Sequence, residues 1–209
     1  MNNLALDLFE PSSTKPERII LDDTMKARFK VSSRTAIARA KESAPLQVMI
    51  EKSLLTKGST LHFGKGRAHH DSAVLLEITG SCSEYDYIHH PDIEVLGSSY
   101  TNVFASYVLN TLQYKPRMYV LQQIAQSTKG VAFIAVRSHF IKGTKEGDGL
   151  ITSIKTFQKS YRPGELVAET AKYFKYIVEI KGRAGFQLVA CSHTRLNHSI
   201  LEHEKKPRE

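Results

Sequence analysis

Residues 130–137, Gly-Val-Ala-Phe-Ile-Ala-Val-Arg, form an apolar run with no polar residue before its terminal arginine. Such a run predicts a strand buried on both faces, and a strand of that kind needs helices packed on each side of its sheet. The rest of the chain supplies them. Thr60–Phe63 reads as a strand, followed by a glycine-containing loop and a helix from about Asp71 to Ile78. Cys82–Tyr87 is the next strand, with Asp86 near its end, then a short strand near Ile93–Leu96 and another at Asn102–Ser106. Pro116 suits the first turn of a helix, and after it Met118, Leu121, Ile124 and Ala125 share one face. A further helix begins at Pro163 and carries Leu166, Val167, Thr170, Ala171 and Phe174 inward. Tyr176–Ile180 and Phe186–Cys191, joined by Lys-Gly-Arg-Ala-Gly, read as a β-hairpin. The expected architecture is α/β and Rossmann-like: a mostly parallel sheet, with N-terminal helices and an antiparallel C-terminal hairpin at one edge.

At 209 residues the chain has the length of one domain. Residues 1–32 are expected to form an irregular arm, broken by Pro11-Ser-Ser-Thr-Lys-Pro16. Helices are expected within 33–57, from Ser33 to about Ser43 and from Pro45 to about Leu55, where Leu46, Met49, Ile50 and Leu54 recur at helical spacing. The α/β domain then covers 58–196, and 197–209 reads as a disordered tail. No apolar run approaches the roughly 20 residues that span a bilayer. The first residues lack the pattern of a secretory signal, and Cys82 and Cys191 fit neither a disulfide framework nor a metal motif. The expected compartment is therefore the reducing cytoplasm, without membrane attachment.

In sheets of this type ligands bind beyond the C-terminal strand ends, where strand order reverses. Gly64 and Gly66 directly follow the first strand, and glycine lets a ligand approach the backbone closely. Asp86 lies 22 residues beyond Gly64, where a carboxylate can accept from both ribose hydroxyls of an adenosyl group. The alternative role for Asp86 is a solvated turn. His69-His70 and His89-His90 flank this loop, but no metal-ligand spacing accompanies them, and no metal is expected.

Net charge adds a second hint. Residues 15–57 carry ten Lys/Arg against five Asp/Glu, residues 137–183 also ten against five, and residues 58–136 five against six. Basic flanks around a neutral centre fit a polyanionic substrate, or they are only well-solvated helices. In the second flank Lys142, Lys145, Phe157 and Lys159 interleave cations with an aromatic, a pattern able to bind phosphates and stack bases. The alternative is a surface excursion whose aromatics pack inward.

Several blocks together carry a resemblance. Arg34-Thr-Ala-Ile-Ala-Arg-Ala-Lys41, the loop Phe63–Arg67, Tyr85-Asp-Tyr87 followed by Pro91, Val108-Leu-Asn110, and Gly147-Asp-Gly-Leu-Ile-Thr152 with Thr156-Phe-Gln-Lys159 run in this order. From about residue 33 to 175 the chain resembles bacterial methyltransferase-like proteins associated with DNA phosphorothioation systems. The resemblance implies a class I methyltransferase fold and S-adenosyl-L-methionine as cofactor, held by His62, Gly64, Gly66 and Asp86. The basic, aromatic-interleaved segment and the DNA-modification context of the resembled proteins together point to a nucleic-acid substrate, DNA rather than RNA. Tyr107 and Asn110, in the loop that shapes the active pocket of such enzymes, are the catalytic candidates, and Asn110 could equally serve the core or a cap. The chain departs from the family pattern at His62, where an acid stands, at Lys65 for cysteine, at Ala68 for the third glycine, and at Lys155 for glycine. Those departures favour a second reading, a non-catalytic fold serving as a nucleic-acid or protein binding module.

Overall fold

The structure, a computed structural model, describes residues 20–67 and 69–204. A six-stranded sheet forms its centre: β1 (Gly58–Phe63), β2 (Gly80–Tyr85), β3 (Tyr100–Ser106), β4 (Thr128–Arg137), and the late strands β8 (Tyr176–Ile180) and β9 (Phe186–Ser192). Their order is β2-β1-β3-β4-β9-β8. β1 to β4 pair in parallel, while β9 is antiparallel to both β4 and β8. The reversed strand is thus inside the sheet rather than at its edge, and β8, which forms that edge, runs in the direction of β4.

Strand residues alternate between two cores, as the period-2 geometry of a strand requires. Ala132, Ile134 and Val136 face one core with Val103, Ala105, Val189 and Cys191. It is covered by α1 (Asp23–Ser32), α4 (Tyr114–Ser127) and α5 (Glu165–Thr170) through Phe29, Leu121 and Leu166. Phe133 and Ala135 face the other core with Phe104, Leu188 and Ala190. There α2 (Ala44–Glu51), α3 (His70–Thr79) and α6 (His198–Leu201) cover the sheet with Leu46, Leu75 and Ile200. The apolar run of β4 is therefore buried on both faces. A separate three-stranded antiparallel sheet, β5 (Thr144–Glu146), β6 (Gly149–Ile151) and β7 (Phe157–Gln158), is inserted between β4 and α5.

Four local expectations change. Residues 20–31 are not irregular: α1 starts on Asp22, whose side chain accepts from the Met25 N–H, and buries Met25 and Phe29 one turn apart. The helix expected over 33–43 shrinks to a 3₁₀ turn at Ser33–Thr35. There Ser33 Oγ and Thr35 Oγ1 donate to the Lys30 and Ser32 carbonyls, local bonds that compete with helix continuation. Ile93–Gly97 is a 3₁₀ turn rather than a strand, opened by the Asp92 carboxylate accepting from Glu94 N–H. The tail is ordered through Glu204: Asn197 caps α6, Ile200 is buried, and Glu204 bridges to Ile180. The expectations for residues 1–19, Ala68 and 205–209 lie outside the described residues. No described helix is long and apolar enough to cross a membrane.

Candidate functional site

The chain reverses direction across the sheet at β1, with β2 on one side and β3 on the other. A crevice opens at the C-terminal ends of β1 and β3, the position where open α/β sheets bind ligands. The cleft encloses about 870 Å³ including its open mouth. His62, Gly64, Gly66, Asp86 and Tyr107 all line it.

The loop after β1 is shaped by close approach. Gly64 has φ +69°, and a Cβ there would lie 2.3 Å from Val108 Cγ2, so only glycine lets β1 leave the sheet past the β3 loop. Gly66, at φ +61°, faces Ala36 across the cleft, 3.1 Å from where its Cβ would stand. Asp86 fixes this loop: Oδ2 accepts from the Gly66 N–H at 3.0 Å, and Oδ1 from the Ile88 and His89 N–H groups at 2.9 Å each. A carboxylate has about four acceptor positions. Three are used, which leaves Oδ2 room for one ligand hydroxyl.

The departures from the family pattern have partners. His62 is buried with Nδ1 2.8 Å from Ser72 Oγ, and burial pulls its pKa down to about 4, so the ring is neutral at physiological pH. Lys65, also buried, donates to Glu84 Oε2 at 2.7 Å and lies 2.9 Å from His69 Nδ1. Its charge is thus matched by β2 rather than offered to the cleft. Lys155 stands in the left-handed region at φ +59°, which explains why glycine suits that turn.

Across the cleft Tyr107 is also left-handed, at φ +60°, with its N–H held by the Ala135 carbonyl at 2.8 Å. Strained non-glycine backbone of this kind clusters at ligand sites. The Arg39 guanidinium sits 5.4 Å from the Tyr107 ring centroid. Burial pushes the Tyr107 phenol above its usual range, so it is a neutral hydroxyl rather than a base. Sequence reasoning missed Ser43, Asp71 and Ser106 in the same wall. Asp71 is buried in the first turn of α3 and accepts from the Ser43 N–H at 2.8 Å. Ser43 Oγ and Ser106 Oγ are buried with no hydrogen-bond partner among the described residues. Native proteins leave few such atoms unpaired, and two in one cleft wall mark a place for a ligand.

The other candidates fall elsewhere. Asn110 does not reach the cleft: it donates to Gln158 Oε1 and accepts from the Arg137 N–H, tying β7 to the end of β4. Lys159 is buried, contrary to a substrate-facing role, and Phe157 is buried beside two cavities outside the cleft. Lys159 pairs with Asp148 at 3.4 Å and Glu165 at 3.1 Å. Lys142 and Lys145 are exposed but line no part of the cleft. The distinctive block Gly147–Lys159 is an anchor centred on Arg117 of α4, a fully buried side chain. Arg117 holds Asp148, takes both carboxylate oxygens of Glu169 and donates to the Leu112 carbonyl. The Tyr161 hydroxyl completes it at 2.7 Å from Glu169 Oε2. Among the described residues no three His, Cys, Asp or Glu side chains gather to hold a metal ion.

Neither a protein-family model nor a curated protein matches the chain. Solved structures do. The 1,6-didemethyltoxoflavin-N1-methyltransferase of Burkholderia thailandensis, which holds 1,6-didemethyltoxoflavin and S-adenosylhomocysteine, superposes with TM-score 0.50 at 15% identity. The match covers 80% of this chain and 78% of that one. The sugar N-methyltransferase KedS8 from Streptoalloteichus sp. gives TM-score 0.53 at 10% identity, over 79% of this chain and 88% of its own. The chain has the Rossmann-like fold of S-adenosylmethionine-dependent methyltransferases.

Proposed function

We propose that the protein is an S-adenosylmethionine-dependent methyltransferase acting on a small-molecule acceptor. The observation that carries this is the cleft at the ends of β1 and β3, with two left-handed glycines, Asp86 with an acceptor position to spare, and unpartnered Ser43 and Ser106 hydroxyls. These features fit the cofactor. Asp86 would take a ribose hydroxyl, the Gly64–Gly66 backbone would lie against the adenosyl moiety, and Ser43, Asp71 and Arg39 offer groups of both signs to an amino-acid tail.

The cofactor supplies a methyl group on a positively charged sulfur, which an acceptor lone pair takes in one in-line displacement. Such a reaction draws mainly on alignment, so the protein's part is to bind, orient and exclude water. Tyr107, a neutral hydroxyl on a rigid strained turn, suits positioning more than proton abstraction. By their names, one of the two neighbours is a 1,6-didemethyltoxoflavin-N1-methyltransferase and the other a sugar N-methyltransferase, which supports a small acceptor. A DNA acceptor draws on the sequence resemblance and the basic flanks alone: Lys159 is buried and paired, and Lys142 and Lys145 lie away from the cleft.

Calorimetric titration with S-adenosylhomocysteine tests the reading. One site per chain is expected, weakened about tenfold by Asp86→Asn, equivalent to about 1.4 kcal/mol. No heat up to millimolar ligand would overturn it.

A further inference from the structure

The cofactor cleft does not end at its own walls. Ser32, Thr111 and Leu112 line both it and a second cavity of about 390 Å³ including its open mouth, bounded also by Val31 and by Ile151 of the inserted sheet. That cavity shares Arg28, Gln113 and Phe157 with an outer groove between α1, the start of α4 and the β5–β6 turn. Cleft, cavity and groove therefore adjoin in series through shared wall residues, a passage of three neighbouring spaces. Ser32 Oγ and Thr111 Oγ1, hydrogen-bonded at 2.6 Å, stand at its inner junction.

The charges along the passage are nearly all committed. Asp22 pairs with Lys115, and Asp148 with Arg117 and Lys159. Glu146 accepts from Gln113 Nε2 at 3.1 Å. Arg28 lines both the inner cavity and the outer groove and has no ion pair among the described residues. Gln113 presents the other unfilled valence. Its amide nitrogen is fixed on the Glu146 carboxylate, so the oxygen is the atom left over, and Oε1 is buried without a partner. Ile151, Leu112 and Phe157 make the wall apolar.

We propose that this passage is the acceptor site and that the acceptor is a small aromatic anion. Its ring lies on the Leu112–Ile151–Phe157 wall, its carboxylate or phosphate meets Arg28, and a hydroxyl or amine donor faces Gln113 Oε1. The site rests on reading the adjoining cleft as the cofactor site. Both α1 and the inserted sheet contribute to it, which gives the Arg117 anchor a purpose: it holds the outer wall of the acceptor site in place.

The test is a backbone-amide NMR titration of the full chain, saturated with S-adenosylhomocysteine, using benzoate, phenyl phosphate and benzyl alcohol at fixed ionic strength. Benzoate, phenyl phosphate or both should shift the amides of Gln113, Ile151 and Phe157 saturably, with benzyl alcohol about tenfold weaker. Tighter benzoate binding assigns a carboxylate acceptor, and tighter phenyl phosphate binding a phosphorylated one. Arg28→Ala, a change at an exposed side chain, should weaken the anions about tenfold and leave benzyl alcohol unchanged. Absence of shifts at those amides, equal binding of benzyl alcohol, or anion binding indifferent to Arg28→Ala overturns the proposal. Failure of S-adenosylhomocysteine to shift Gly64, Gly66 and Ile88 in the same spectra would strike the cofactor reading instead, and is read separately.

Discussion

Lys65 and Arg117 are both buried cations, with side chains 2% and 0% exposed, but the polar groups around them are used differently. Arg117 hydrogen-bonds through all three guanidinium nitrogens, and its acids are themselves shared with Tyr161 and Lys159. The buried cation of that cluster is fully engaged. Lys65 is matched by Glu84 at the base of a cleft whose walls still carry the open hydroxyls of Ser43 and Ser106 and a spare position on Asp86. A closed network fastens one part of the chain to another, whereas an open one can receive a ligand. Residue types alone do not tell the two apart, since each contains cations, acids and a tyrosine.

The contrast breaks most visibly at Arg117. Arg117→Met leaves the partly buried Glu169 without its two-oxygen partner, while Asp148 keeps Lys159, and should cost about 2–4 kcal/mol, measured by urea denaturation. A loss under about 1 kcal/mol would mean that the inserted sheet is not anchored there. The next effect is pH-dependent and belongs to the cleft. His62 is held near pKa 4 by burial, below its ordinary 6.5. As pH falls from 6.5 towards 4 the unfolded chain takes up a proton that the folded chain refuses. Stability should therefore decline on that side by up to about 1.4 kcal/mol per pH unit. His62→Asn should flatten the slope in denaturation curves over this window, and an unchanged slope would contradict a buried neutral ring. Gly64→Ala should cost about 1–3 kcal/mol, from the clash with Val108 and the left-handed backbone. Adding Val108→Ala should recover part of that loss but not the part due to φ. Additive losses in the double variant would mean that the two residues do not meet.

Much of the fold could be read from local patterns. The apolar run of β4, the helical stripe of α4 and the glycine-rich exit from β1 each announce an element within a dozen residues. Gly64, Gly66, Asp86 and Tyr107 came together because each follows a strand that the pattern identifies. The rest depended on contacts distant in sequence. Ser32 meets Thr111 across 79 residues, and Arg117 meets Glu169 across 52, with no spacing rule to announce either. α1 was hidden because a short helix with two buried residues leaves little periodicity, although Asp22 carried a cap signal. Asn110 and Lys159 lie away from the cleft for a different reason: Asn110 is held by Gln158 and the Arg137 N–H, and Lys159 by Asp148 and Glu165, partners that residue type alone does not announce.

Amide hydrogen exchange with and without S-adenosylhomocysteine tests the central distinction most directly. The ligand should slow exchange at Gly64–Gly66, at Ile88 and His89 beside Asp86, and at Tyr107–Val108. It should leave the amides of Gly147–Lys159, near the Arg117 cluster, unchanged. Protection confined to 147–159, or none at 64–66, would contradict the assignment of the open cleft as the cofactor site.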